Sequence, residues 1–451
     1  MKITENQSKK QNIKWLETCY VILVFGLMLA LAIGTKATSG PDESMKYDIC
    51  KYIVQHGSLP DGRDPAIRNA LWGTSYGFNP ILSYMISAVF LKVTTFFTMD
   101  MEICYLAVRM VSVLCITGMT VVIMRIGGLL FRNVYVRWLF IAITTLLPQV
   151  LYLGSYLNND AFALLTISLI IYAWLLGLKN SWNMSSCILL AVSIGLCALS
   201  YYNAYGYILC SMILFFVSYR RMIQQRSGGN GTSRDMWKKA GIITAIALLI
   251  AGWWFIRSAI LYNGDFLGLN TSNAYAEQFA QNEFKPSLIA NPYHQGWSLY
   301  EMLITNQWLK TSLISFVGVL RTCDIASLGK YYIILWLLFM VGYLGFVCRV
   351  WKSRKELFKE DKNSLLLYGI FVISIVIPIA LSLYYSYYSD FQPQGRYLMP
   401  MLIPFAFFCV TGLEHWLKWL PSRWRNLCCG LTLGLIGAIA LICVKGVITM
   451  I

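Results

Sequence analysis

Two adjacent carboxylates, Asp42 and Glu43, stand in the run Gly40-Pro41-Asp42-Glu43, immediately after the first long apolar segment and at the start of a polar loop. A carboxylate placed there can take a proton from a hydroxyl or amine brought to a membrane surface. Neighbouring carboxylates repel when both are ionised, which raises one apparent pKa and improves its basicity near neutral pH. Asp42 is the preferred base and Glu43 its direct competitor; Pro-Asp-Glu also reads as a solvated first turn of a helix. Arg396 lies in Gln394-Gly395-Arg396-Tyr397, and its guanidinium can grip two phosphate oxygens at once. It is the preferred phosphate ligand, with an interfacial anchor or a salt bridge to Asp390 as the structural alternative. Arg257 is a second phosphate candidate, with pairing to Asp265 or Asp160 as the structural alternative. Asp160 follows Asn158 and Asn159 and precedes an apolar run, so it either caps that helix or shapes a site. Asn159, Asp265, Gln394 and Tyr397 are further site-shaping candidates. His56 and His294 either assist proton transfer or make loop hydrogen bonds.

These residues need a membrane scaffold. Hydrophobic residues fill 57% of 451 positions and charged residues 13%, about half the share of a soluble domain. A crossing takes roughly 20 apolar residues and must satisfy its own backbone, so the expected fold is all-α and polytopic. The first apolar run, 15–34, is too long for a signal-peptide core and is read as a retained anchor helix. Crossings are expected near 15–34, 103–124, 138–152, 161–178, 185–200, 204–219, 240–261, 331–348, 364–383, 399–413 and 427–449, about eleven in all. The whole chain, 1–451, reads as one integral membrane domain, with a first extracytoplasmic loop at 35–102 and a second at 262–330.

The formal charge of +16 could suggest nucleic acid, but most lysines and arginines fall in alternate loops. That pattern puts the N-terminus in the cytoplasm and the polar motifs outside. The run 79–97 breaks the alternation if it crosses, so it is read as a surface or re-entrant helix, with an ordinary crossing as the alternative. The aromatic residues clustered at the outer ends fit an interfacial belt.

The 13 cysteines lie mostly in apolar helices and form no disulfide framework. Cys50 and Cys323 are the main loop cysteines, and no Cys/His spacing points to zinc. The clustered acids of the first loop could hold a divalent ion, but no Asp-x-Asp pattern stands in the outer loops and no obligatory metal is expected. Residues 226–233 have linker composition. No Walker or dinucleotide-binding fingerprint is present.

Pro41-Asp42-Glu43 resembles the acidic motif of the first extracytoplasmic loop in GT-C glycosyltransferases, and Asn158-Asn159-Asp160 resembles their Asn-Asp-Ala turn. Trp254 through Asp265 and Gln394-Gly395-Arg396-Tyr397-Leu398 resemble two further blocks of a bacterial branch of that superfamily. The branch is related to dolichyl-phosphate-mannose-protein mannosyltransferases. The blocks span residues 41–398, in order and on one side of the expected topology. The resemblance implies a GT-C-like bundle with juxtamembrane helices in the first outer loop. It also implies transfer of a sugar from a polyprenyl-phosphate carrier to a glycan, lipid-linked or protein acceptor at the cell membrane, by single displacement with inversion. In that scheme Asp42 is the base and Arg396 steadies the lipid phosphate.

A lipid-linked donor has its anomeric carbon at the interface, so its catalyst needs polar groups at that depth. Two other classes fit a polytopic chain. A transporter or flippase of lipid-linked sugars would place coupling charges at mid-depth, and the expected crossings show none. An oligosaccharide polymerase or ligase would share the substrate class without needing an acidic pair so early.

Overall fold

The computed structural model describes residues 2–225, 232–318, 331–360 and 362–449. Cys323, most of the 226–233 linker and the end of the second large loop lie outside them. The described residues form helices and three-ten turns with no strand. In chain order the helices are α1 (Lys2–Gly34), α2 (Glu43–His56), α3 (Leu82–Thr95), α4 (Met101–Leu130), α5 (Val134–Thr145), α6 (Pro148–Leu153), α7 (Asp160–Lys179) and α8 (Met184–Ala198). They continue with α9 (Gly206–Gln225), α10 (Ser233–Leu261), α11 (Leu269–Phe279), α12 (Trp308–Val317), α13 (Tyr331–Glu360), α14 (Lys362–Tyr388), α15 (Leu402–Leu417) and α16 (Ser422–Thr449).

Nine helical segments among the described residues are long and apolar enough to cross a membrane. The chain is a multi-pass membrane protein. The other two expected crossings have a different build. Residues 138–152 fall on α5 and α6, which Pro148 separates because it cannot donate to the preceding turn. Residues 185–200 fall largely on α8, whose 15 residues rise about 22 Å.

The run 79–97 contains α3, whose 14 residues rise only about 21 Å. It packs between α2 and α4, burying Tyr84, Ala88 and Leu91. Its two flanks are also tied together. The Ala37 backbone N–H, just past α1, donates to Glu102 Oε2 at the start of α4, at 3.0 Å. The segment 38–100 therefore leaves and re-enters the bundle at one end, and α3 does not cross.

The core of the bundle is built on α4, α7 and α15, with α13 and α15 crossing at glycines. A Cβ on Gly412 would lie 1.7 Å from the Gly342 carbonyl oxygen, so only glycine permits that approach. No disulfide joins the twelve cysteines among the described residues. The loops after α1, α6, α8, α10 and α14 gather at one end of the bundle. Tyr202 Oη donates to Leu267 O at 2.6 Å, Tyr293 N to Tyr387 O at 3.1 Å and Gly62 N to Tyr262 Oη at 3.0 Å.

Single cysteines placed at Ser39 and Thr98 in a cysteine-free background should react with an impermeant maleimide from the same side of sealed vesicles. Labelling from opposite sides would mean that α3 spans the membrane.

Candidate functional site

Asp42 is the last residue before α2 and has left-handed backbone angles, φ 54° and ψ 23°. Aspartate tolerates this region better than most residues, at a cost of about 1 kcal/mol. Contacts on both sides hold it there. Glu43 N donates to Gly40 O at 3.1 Å, Lys46 N donates to Asp42 O at 3.2 Å, and Lys46 Nζ donates to Pro41 O at 2.7 Å. The tight turn leaves no room at Gly40, where a Cβ would meet the Tyr156 ring at 2.8 Å. The Asp42 carboxylate remains half-buried and accepts a hydrogen bond from Tyr76 Oη at 3.1 Å.

Arg396 reaches the same carboxylate from the far end of the sequence. Its Nη2 lies 3.7 Å from Asp42 Oδ2. It sits on a three-ten segment, Gly395–Met401, that leads into α15. Irregular backbone is tolerated at membrane depth where protein or a cavity surrounds it. Gly395 seats this segment on α12: its N–H donates to Ser315 Oγ at 2.7 Å, and a Cβ would fall 2.0 Å from Phe316 N.

The guanidinium is oriented by a chain of side chains. Arg396 Nη2 donates to Tyr397 Oη at 2.9 Å, Tyr397 donates to Gln392 Oε1, and Gln392 Nε2 donates to Asp390. Burial raises the Asp390 pKa, which its bond from Gln392 partly offsets. The salt bridge from Arg396 goes to Asp42, while Asp390 is occupied by Gln392.

Asp42 and Arg396 face a cavity of about 260 Å³, lined also by Pro41, Trp72, Gln149, Tyr152, Tyr156, Gln392 and Gln394. Lys46 stands behind this wall. It is buried, with its ammonium over the rings of Tyr76 and Tyr156 at 5.3 and 5.6 Å. Burial pulls its pKa down to about 8, against the opposing pull of Asp42. Among the described residues no three His, Cys, Asp or Glu side chains are grouped to hold a metal ion. The cavity therefore offers a carboxylate acceptor, a forked cation, amides and aromatic rings.

Residues 50–404 match the family described as "Predicted membrane protein (DUF2142)". The chain belongs to that family. No curated protein matches it. Among solved structures it is similar to the oligosaccharyltransferase of Archaeoglobus fulgidus in the apo form, at 12% identity and a TM-score of 0.58. That likeness covers 96% of this chain and 56% of the other. The archaeal oligosaccharyltransferase AglB from the same organism, in complex with an inhibitory peptide and a dolichol-phosphate, gives 12% identity and a TM-score of 0.55, over 96% and 56%. ArnT from Cupriavidus metallidurans, bound to undecaprenyl phosphate, gives 13% identity and a TM-score of 0.52, over 97% and 76%. The chain thus spans little more than half the length of the oligosaccharyltransferase. This member of the family has the GT-C fold that its four sequence blocks resemble.

The other expected site residues divide by position. Gln394 lines the cavity and Tyr397 holds Arg396. Asp160 opens α7 within the electrostatic reach of Arg396 and Lys46. The cap of α7 comes from Asn158, whose Oδ1 accepts from Ala161 N at 2.8 Å. Asn159 is buried and accepts from Ser83 Oγ at 2.6 Å, which ties α7 to α3. Arg257 is not among the residues lining the cavity. Its Nη2 donates to Pro60 O at 2.8 Å and to Leu59 O at 3.3 Å, and it stacks over Trp254. Asp265 accepts from Thr271 N and Oγ1, at 2.8 and 3.0 Å, and so pairs with neither arginine. His56 ends α2 at the surface, its ring 4.3 Å from that of Tyr52. His294 Nδ1 lies 3.0 Å from Ile289 O within its loop.

Glu43 departs from the expectation that it competes directly with Asp42 as the base. It is 0% exposed and fully engaged. Arg109 Nε and Nη2 donate to it at 2.8 and 2.7 Å, Leu157 N at 3.0 Å and Gly40 N at 3.3 Å. No lone pair is left to serve as a competing base. Arg109 also corrects the expectation of charge-free crossings, because it lies two turns inside α4 and is 1% exposed. The signal that marks it is an arginine set deep in the apolar run of a 30-residue helix, which requires a buried partner.

Arg109→Met should leave Glu43 charged and unpaired, costing about 3–5 kcal/mol and depressing the thermal midpoint in detergent. Adding Glu43→Gln to that variant should recover part of the loss. An Arg109→Met midpoint equal to that of the parent would show that the pair is not what holds the loop.

Proposed function

We propose that this protein is a glycosyltransferase that moves a sugar from a polyprenyl-phosphate carrier to a cell-envelope acceptor on the extracytoplasmic face. One observation carries the reading: the Asp42 carboxylate and the Arg396 guanidinium, 354 positions apart in sequence, meet at 3.7 Å on the wall of one cavity. The placement of that cavity outside rests on the basic residues of the opposite loops. Two structures with the same fold carry undecaprenyl phosphate on ArnT and dolichol-phosphate on AglB, which supports a lipid-linked donor here.

Each group then has a task. An Asp42 carboxylate oxygen takes the proton of the acceptor hydroxyl or amine. The acceptor heteroatom forms its bond to the anomeric carbon from the face opposite the phosphate. The bond from that carbon to the phosphate oxygen breaks, and its electron pair leaves on the polyprenyl phosphate. Arg396 stabilises the growing negative charge through paired N–H donors. The product sugar has inverted configuration. With Arg396 in front and Lys46 behind, the cationic charge needed at the leaving phosphate comes from the protein, so no obligatory divalent ion is proposed.

In this reading Asp42→Asn lowers transfer from a labelled polyprenyl carrier by about 10²–10⁴-fold while donor binding persists. Arg396→Ala chiefly weakens donor binding, and EDTA leaves wild-type turnover unchanged. Normal turnover in Asp42→Asn would remove that residue from the mechanism, an unchanged donor affinity would reassign Arg396, and loss of turnover in EDTA would restore a metal.

Lys46 adds a pH dependence. It keeps its proton below about 8 and loses it above. Its attraction for the donor phosphate is therefore present at lower pH and lost as pH rises through that value. Donor affinity should fall across this range in the wild type and stay weak and flat in Lys46→Met. A flat wild-type profile would take Lys46 out of donor binding.

A further inference from the structure

Buried polar groups nearly always find partners, so each exception calls for a reason. Two exceptions meet at the cavity. Tyr156 lines its wall and is 0% exposed, and among the described residues its hydroxyl has no hydrogen-bond partner. Arg396 Nε, on the same wall, has none either. The rest of each side chain is held. Arg396 Nη2 donates to Tyr397 Oη at 2.9 Å and lies 3.7 Å from Asp42. The Tyr156 ring stands against Gly40, 4.8 Å from the Tyr152 ring and 5.6 Å beneath the Lys46 ammonium, while Asn158 Nδ2 donates to the Tyr156 carbonyl at 2.7 Å. The ring therefore packs the loop, and the hydroxyl makes no bond in that packing. Burial raises the pKa of this hydroxyl well above the ordinary tyrosine value, against the opposing pull of nearby Arg396, so it remains a donor at neutral pH.

From this we infer that Tyr156 is a second ligand of the donor phosphate, its O–H and the Arg396 Nε–H converging on one phosphate oxygen. The inference rests on the glycosyltransferase reading and adds a residue to it. A buried donor without an acceptor destabilises the empty protein, which is tolerable where a ligand supplies the acceptor. Both groups carry a hydrogen to give, and an anionic oxygen has lone pairs for each. Arg396 brings charge to the contact, and the hydroxyl, on a ring held from several sides, brings direction. The bonds that form and break are those already written. Tyr156 keeps its proton, and its hydrogen bond to the phosphate tightens as the electron pair of the anomeric C–O bond arrives there.

The test compares the full-length wild type with Tyr156→Phe in detergent, using two probes: a polyprenyl phosphate and the matching polyprenol, which lacks the phosphate. The substitution removes one oxygen atom and leaves the ring. Affinity for the polyprenyl phosphate should fall at least about tenfold, while affinity for the polyprenol stays that of the wild type. The thermal midpoint without lipid should equal or exceed the wild-type value, because an unpartnered buried hydroxyl gives way to C–H. A lower midpoint would assign the hydroxyl to structure, and an unchanged phosphate affinity would remove it from the donor site. Either result overturns the inference and, where the wild type still prefers the phosphate, leaves the glycosyltransferase reading standing. A wild type that binds the phosphate no better than the polyprenol would overturn that reading as well.

Discussion

The buried pair between Glu43 and Arg109 is the constraint on which the site depends. Helix α1 ends with carbonyls that have no partner of their own, as every helix does. Arg109 supplies one: it donates to Ala32 O, Thr35 O and Lys36 O as well as to Glu43. Glu43 in turn accepts from Gly40 N and Leu157 N. One ion pair therefore closes α1, opens α2 and seats the turn before α7 against α4. Desolvating two charges is costly, and satisfying every donor and acceptor is what makes the arrangement tenable. The same completeness makes it rigid.

That rigidity explains why two adjacent acids behave differently. Glu43 faces inward and is used up in structure, and this fixes the chain direction one residue earlier. Asp42 is consequently held in a left-handed conformation with its carboxylate toward the cavity, steadied by Tyr76 and by the Lys46 link to Pro41. On the opposite wall Gly395 allows α12 to approach closely enough to place Arg396. The chain from Asp390 through Gln392 and Tyr397 then sets its guanidinium. The two charged groups on the cavity wall are thus supported by buried elements and do not depend on loop flexibility for their placement.

The bundle was largely legible in the sequence because lipid imposes length, apolarity and charge bias on each crossing. The reading of 79–97 as a helix that does not cross followed from charge alternation alone, and the Ala37–Glu102 contact agrees with it. The pairing of Asp42 with Arg396 was legible as a resemblance between motifs, and their adjacency required coordinates. Other positions were not readable. Arg257 looks like a phosphate ligand because it is a lone arginine beside tryptophans, yet its Nη2 donates to the carbonyls of Leu59 and Pro60, which no local pattern announces. Asp265 and Asn159 are likewise turn and packing residues whose partners lie at Thr271 and Ser83. Arg109 was missed because one charge in a long apolar run hardly alters its hydropathy. The cap of α7 fell to Asn158 because its side chain, two residues back, reaches the free N–H of Ala161.

The central claim is that a lipid-borne phosphate enters the cavity between Asp42 and Arg396. The most direct measurement is a structure of the full chain with a polyprenyl phosphate bound. The account predicts the phosphate within hydrogen-bond distance of the Arg396 guanidinium, with the Asp42 carboxylate facing the side from which an acceptor would approach. A phosphate seated instead at Arg257, or on the opposite end of the bundle, would contradict it.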